Sequence, residues 1–169
     1  MIVGQLEVAG GQVLFQVGRE GELLFDLTAP APRATTITGV QALETAVAEL
    51  PDHVILRYGT LYGPGMWFAP QGLMAARLRA GDLPAGDAVS SFLHVQDAAR
   101  AAILALTWPS GPVNIVDHEP ALAEALGEPA PVPGAGRGGW ERGARNNRAV
   151  ALGWQAQHPI WRTGFHDHG

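Results

Sequence analysis

Residues Val54 to Trp67 read VILRYGTLYGPGMW. Val54, Ile55 and Leu56, followed by Arg57, have the β-branched and aliphatic side chains of a short buried strand. Gly59, Gly63, Pro64 and Gly65 then force the chain into a turn or loop, and Tyr58, Tyr62, Trp67 and Phe68 decorate it. A buried strand that delivers an aromatic, glycine-rich loop is how open α/β sheets wall a pocket at their strand ends.

Working outward, Val40, Leu43, Val47 and Leu50 recur at helical spacing before Pro51 stops the pattern, so a helix feeds the strand. On the other side, Gly72 to Arg79 reads as a second short helix, and SFLHV (Ser91 to Val95) as a short strand. Asp97 looks like the cap of a third helix, with Ala99, Ala102, Ile103 and Leu106 as its apolar stripe. VNIV (Val113 to Val116) is a further buried strand, and Asn146 to Leu152 a final helical patch. Helices alternating with buried strands imply an α/β fold with a mainly parallel sheet. The ends are less defined. Met1 to Ala9 can open as a helix, whereas QVLFQV (Gln12 to Val17) and GELLFDL (Gly21 to Leu27) can form a strand pair. ALAEAL (Ala121 to Leu126) supports one or two helical turns, and PAPVPGAGRGG (Pro129 to Gly139) is loop.

Composition narrows the function classes. The chain has 169 residues, enough for one domain with a real core, and 47% are hydrophobic. A net charge of −5 offers no basic field for nucleic acid or an anionic membrane. No apolar run approaches a membrane span, and no signal peptide is evident, so cytoplasmic residence is the expectation. With no cysteine, disulfides and thiolate chemistry are excluded. All 11 basic residues are arginine. The lack of lysine removes Schiff-base chemistry, a phosphate-loop lysine and any Tyr/Lys proton-transfer pair.

VILRYGTLYGPG, SFLHVQDAARAAILAL, GPVNIVDHEP and NNRAVALGW…HPIWRTGF, in this order, resemble the C-terminal half of the NAD-dependent epimerase/dehydratases, the extended short-chain dehydrogenase/reductases. The likeness runs from about Val13 to Phe165 and implies a partial Rossmann-like domain, a mainly parallel sheet flanked by helices with a small substrate-side region. It also implies NAD(P) as the family's cofactor and a sugar-like substrate. The family's glycine-rich dinucleotide turn has no counterpart here. GAGRGG (Gly134 to Gly139) has its letters but lies between prolines with no strand before it. In place of the family's catalytic serine the chain reads Gly18-Arg19-Glu20. Counting back from Glu44, the family's tyrosine and lysine fall on Thr36 and Val40. Threonine has far too high a pKa to replace a phenol, and valine carries no charge. The resemblance therefore implies no catalytic residues, no cofactor and no turnover for this chain alone, as in a truncated or degenerate member. A pseudoenzyme that binds a sugar-like ligand or a partner protein is the alternative.

Tyr58, Thr60, Tyr62, Trp67 and His94 are the candidate substrate-side residues. Each also has a plain structural reading: Tyr58 and Tyr62 as core aromatics, Trp67 as lid packing, His94 as a histidine bonded to its own loop. Arg57 can pair with a buried carboxylate or with a ligand anion, the structural pair being the plainer reading. Ser90 stands where nucleotide-sugar enzymes carry a phosphate-binding arginine. Asp117-His118-Glu119 and His166-Asp167-His168 have metal-binding letters, but neither is fixed at ligand spacing, so no metal is expected. Trp140, Trp154 and Trp161 read as anchors of the C-terminal segment. The strand Gln12 to Val17 has no lysine or proline to guard its edge, so the N-terminal segment or a second subunit is expected to cover it.

Overall fold

The structure, a computed structural model, describes residues 2–3, 33–69, 71–80, 91–118 and 144–164. Strand β1 (Ile2–Val3) is followed by helix α1 (Arg33–Ala48), β2 (Val54–Tyr58), β3 (Thr60–Tyr62) and α2 (Leu73–Arg79). Then come β4 (Phe92–His94), α3 (Val95–Leu104) with a 3-10 turn at Ala105–Thr107, β5 (Gly111–Ile115), α4 (Asn147–Ala151) and α5 (Trp161–Gly164). Every described pairing is parallel: β1-β2-β5 form one sheet and β3-β4 a second. The fold is α/β, with parallel strands flanked by helices.

The two sheets are joined at one glycine. β2 pairs with β5 from Val54↔Gly111 to Tyr58↔Ile115, and the chain passes through Gly59 into β3. The Gly59 N–H donates to the Ile115 carbonyl at 3.0 Å. A Cβ at Gly59 would stand 2.6 Å from the Ser91 carbonyl oxygen, so only glycine fits. On the other side, the Asp117 N–H donates to the Phe92 carbonyl at 2.7 Å. The second sheet thus extends the first beyond the carboxyl ends of β2 and β5.

The core is Leu56, Leu93, Val113, Ile115 and Trp154, against the alanine face Ala98, Ala101 and Ala105 of α3 and its 3-10 turn. This corrects the sequence reading of α3. Ile103 and Leu106, expected in its buried stripe, are 69% and 85% exposed. The face turned inward is the one carrying Asp97, which is buried for its own hydrogen bonds, and the small alanines below it let the helix lie close on the sheet. α1 departs in a similar way. Leu43 and Leu50 are exposed, and the side chain turned inward is Glu44, held by Arg57 through two bonds of 2.8 and 2.6 Å. The structural pair anticipated for Arg57 is this one.

At the N-terminus, Ile2 and Val3 form strand rather than the opening turn of a helix, in register with Leu56 and Arg57. The readings of Gln12 to Val17 and its open edge, Gly21 to Leu27, Ala121 to Leu126, the Pro129–Gly139 loop and Trp140 lie outside the described residues. Among the described residues, no helix is long and apolar enough to cross a membrane.

Candidate functional site

Tyr62 ends β3, His94 ends β4, and Asp117 follows β5 by two residues. All three therefore sit beyond the carboxyl ends of parallel strands, where open α/β sheets place their ligands. The β3-β4 register sets Tyr62 opposite His94 and Thr60 opposite Phe92. Tyr62 meets His94 edge-on at 5.1 Å and Phe92 at 6.1 Å, and Phe92 meets Phe68 at 5.6 Å. The result is an aromatic floor with polar tips.

Two further side chains complete the cluster. Asp97, in the first turn of α3, is wholly buried. Its carboxylate accepts the backbone N–H groups of Gln157 and His158 at 2.8 and 2.9 Å, and lies 3.3 Å from His158 Nδ1. The His158 ring stacks on His94, with centroids 3.7 Å apart. Asp97 was expected to cap α3, but the N-cap is His94, whose Nδ1 accepts the Gln96 N–H at 3.3 Å. The acid is thereby released to hold the C-terminal segment. Gly63 makes room for His94: its φ is +113°, and a Cβ there would stand 2.7 Å from His94 Nε2.

Asp117 is the most perturbed group. Only 3% of it is exposed, and neither carboxyl oxygen has a well-aligned hydrogen bond among the described residues. Burial pushes its pKa up to about 8 and the Asp97 carboxylate pushes the same way, while the Tyr62 hydroxyl and the His94 backbone N–H pull it down. The carboxyl is therefore largely protonated at neutral pH. Perturbed acids in a strand-end cluster are a mark of function.

The five sequence candidates separate. Thr60, Tyr62 and His94 share the β3-β4 ladder. Tyr58 turns toward α3 and donates to the Ala98 carbonyl at 3.0 Å, where burial pushes its pKa up to about 12. Trp67 is 39% exposed on the loop beyond β3. Thr36 and Val40 lie one turn apart on α1, both half-buried. Sequence reasoning did not single out His158, although it lies within the HPIW stretch of a motif already noted. Trp154 and Trp161 are buried as anchors, with the Trp154 indole N–H donating to the Asp97 carbonyl at 3.3 Å. His118 is exposed, and Glu119 and the histidine tail lie outside the described residues.

Comparison with known proteins agrees with this architecture. No family model matches the chain. It is 38% identical to a 3-diazoavenalumate denitrifying reductase from a Streptomyces species, over 96% of this chain and 64% of that protein. Among solved structures it resembles the Bordetella bronchiseptica enzyme WbmG, in complex with NAD and UDP, with a TM-score of 0.60 and 22% identity over 88% of this chain and 54% of that one. It also resembles a dTDP-glucose 4,6-dehydratase from Bacillus anthracis in complex with NAD, with a TM-score of 0.59 and 20% identity over 97% of this chain and 56% of that one. The chain thus shares the Rossmann-like fold of the NAD-dependent epimerase/dehydratases, and spans a little over half to about two thirds of the length of these relatives.

At the junction of β4 with α3, the helix N-terminus is occupied by the His94 ring and the buried Asp97 carboxylate, so this particular helix start does not offer an open anion site.

Proposed function

We propose that this chain is the substrate-side part of a reductase related to the epimerase/dehydratases, acting on a small diazo compound rather than on a nucleotide-sugar. The observation that carries this reading is the 38% identity, across 96% of the chain, with a reductase whose name gives a diazo substrate. The cluster is compatible with it: Tyr62, Phe68 and Phe92 pack as a buried apolar, aromatic floor, and in the sequence Ser90 stands where nucleotide-sugar enzymes often carry a phosphate-binding arginine. Thr60, Tyr62, Trp67 and His94 are the proposed ligand-side residues, with Tyr58 acting as their support through α3.

The vacant positions Thr36 and Val40 fit this substrate class better than a sugar. Reduction of a carbonyl creates an oxyanion that needs a proton donor. Replacing a diazonium group by hydrogen releases N2 with the electron pair of the broken C–N bond. The carbon must therefore receive a hydride, which NAD(P)H bound by the rest of such a reductase would supply, and no oxyanion forms. A missing tyrosine acid is then no obstacle. By itself the 169-residue chain is expected to show no detectable turnover and no tight binding of NAD(P), and to work in the cytoplasm.

The test is a thermal-shift and calorimetric titration of the chain with three probes: a diazo compound of the relative's type with its nitrogen-free product, UDP-glucose, and NAD. Binding of the first without added dinucleotide is the expected result. A response to UDP-glucose alone would support a sugar-binding pseudoenzyme instead, and micromolar NAD affinity would overturn the reading of the cofactor side.

A further inference from the structure

β2 and β5 are parallel, so the residues that lead into them share the end of the sheet opposite to Tyr62, His94 and Asp117. There Asp52, His53 and Ser110 border a cavity of about 420 Å³, walled by Trp108 and by Ala102 and Leu106 of α3 and its 3-10 turn. The two loops at its rim are tied to each other. The His53 N–H donates to Ser110 Oγ at 3.1 Å, that hydroxyl donates to the Pro51 carbonyl at 3.3 Å, and the Gly111 N–H donates to the His53 carbonyl at 3.0 Å. The small Ala102 leaves the space, and Leu106, 85% exposed, adds an apolar lip. Such a largely preformed apolar hollow with a few fixed polar groups is the usual form of a small-molecule site.

We propose that this cavity binds an arylalkylamine, a primary ammonium carried on a flat apolar group. The polar groups of the lining decide the class. The Trp108 indole N–H donates to the Leu152 carbonyl at 3.1 Å, so the side chain offers the cavity its ring and not its donor. His53 Nδ1 lies 2.7 Å from the Leu50 carbonyl. A carbonyl only accepts, so Nδ1 carries the proton and Nε2 of the neutral ring is an acceptor. The Asp52 carboxylate has no hydrogen bond or ion pair among the described residues. Arg148 reaches the Ser110 carbonyl at 3.2 Å, but no arginine lines the cavity. What the lining leaves open is therefore an anion, a neutral acceptor and an aromatic ring, the complement of an ammonium with an apolar body. The site lies apart from the strand-end cluster and does not depend on the function proposed above.

The test titrates the whole chain with phenethylamine hydrochloride, read by saturation-transfer NMR and calorimetry, against phenylpropionate as an anionic probe of similar shape. The amine saturates with a Kd near or below about 1 mM, and the carboxylate binds at least tenfold more weakly. Asp52→Asn, at an exposed position, weakens the amine about threefold without moving the melting temperature, and Asp52→Arg abolishes its binding. Ala102→Met fills the cavity from its wall and also abolishes binding, with a cooperative melting curve showing that the variant is folded. The proposal is overturned if no saturable binding occurs, if the two probes bind alike, or if Asp52→Arg leaves the affinity for the amine unchanged. A dimer in sedimentation that Ala102→Met dissociates would overturn it as well, by assigning the cavity to a second copy of the chain.

Discussion

Glu44 and Arg57 meet in a two-pronged contact with both side chains about nine-tenths buried, at 10% and 11% exposure. Removing one partner of such a pair strands the other charge, which costs about 3–5 kcal/mol. Arg57→Ala is expected to lower unfolding free energy by roughly 3 kcal/mol in urea, and a wild-type midpoint in that variant would contradict the burial. Asp117 makes a prediction of the opposite sign. Below its unfolded pKa of 3.8 the carboxyl is protonated in both states. Between there and about 8 the unfolded chain releases a proton that the folded chain keeps. Stability contributed by this group therefore falls as pH rises through that window. Asp117→Asn should match wild type near pH 4 and melt above it near pH 8. Equal melting curves at both values would remove the strain assigned to this acid. Arg57's need for an anionic partner was legible in the sequence, because a strand-borne guanidinium must be satisfied. The identity of its partner was not, since Glu44 stands among apolar residues whose periodicity suggested another buried face.

Among the elements, α3 shows what periodicity can and cannot decide. The helix itself was legible, but its rotation was not. Ile103 and Leu106 outrank alanine in hydrophobicity, yet the buried Asp97 fixes which side faces the sheet, and the alanines follow from it. The turn after β3 depends equally on one position. Gly63 combines a left-handed φ of +113° with a His94 nitrogen in the place of a Cβ. Gly63→Ala is expected to destabilise by about 1–3 kcal/mol and to disturb the His94 ring, which an imidazole NMR titration would register. An unaltered spectrum and unaltered stability would argue against this packing. The strands at Val54 to Arg57 and Val113 to Val116 were readable from their buried apolar side chains, although the second runs from Gly111 to Ile115, two residues earlier than its apolar letters suggest. The pairing of Tyr62 with His94 was not readable, since it rests on a register set by the Gly59 crossing.

For the whole molecule, the four motifs were enough to indicate the parallel α/β architecture, because each places a buried strand beside a turn or helix start. The cluster of Tyr62, His94, Asp97, Asp117 and His158 draws on segments up to about a hundred residues apart in sequence, which no local pattern reveals. Trp154, with no exposed surface, seals this assembly from below. Trp154→Ala should cost about 3–5 kcal/mol, and its loss should be felt at the ligand-side residues, so weakened binding of the probes above would accompany the lowered stability.

The two backbone N–H groups that Asp97 receives come from residues 60 and 61 positions later in the chain. A loop of that length costs on the order of 3–4 kcal/mol to close, a cost that is smaller once the sheet and α3 hold Asp97 in place. The C-terminal segment thus acts as a clasp across them. A protein cut after Ala156 would keep its strands but leave the Asp97 carboxylate without its two backbone donors, and it should be degraded faster than its remaining core would suggest.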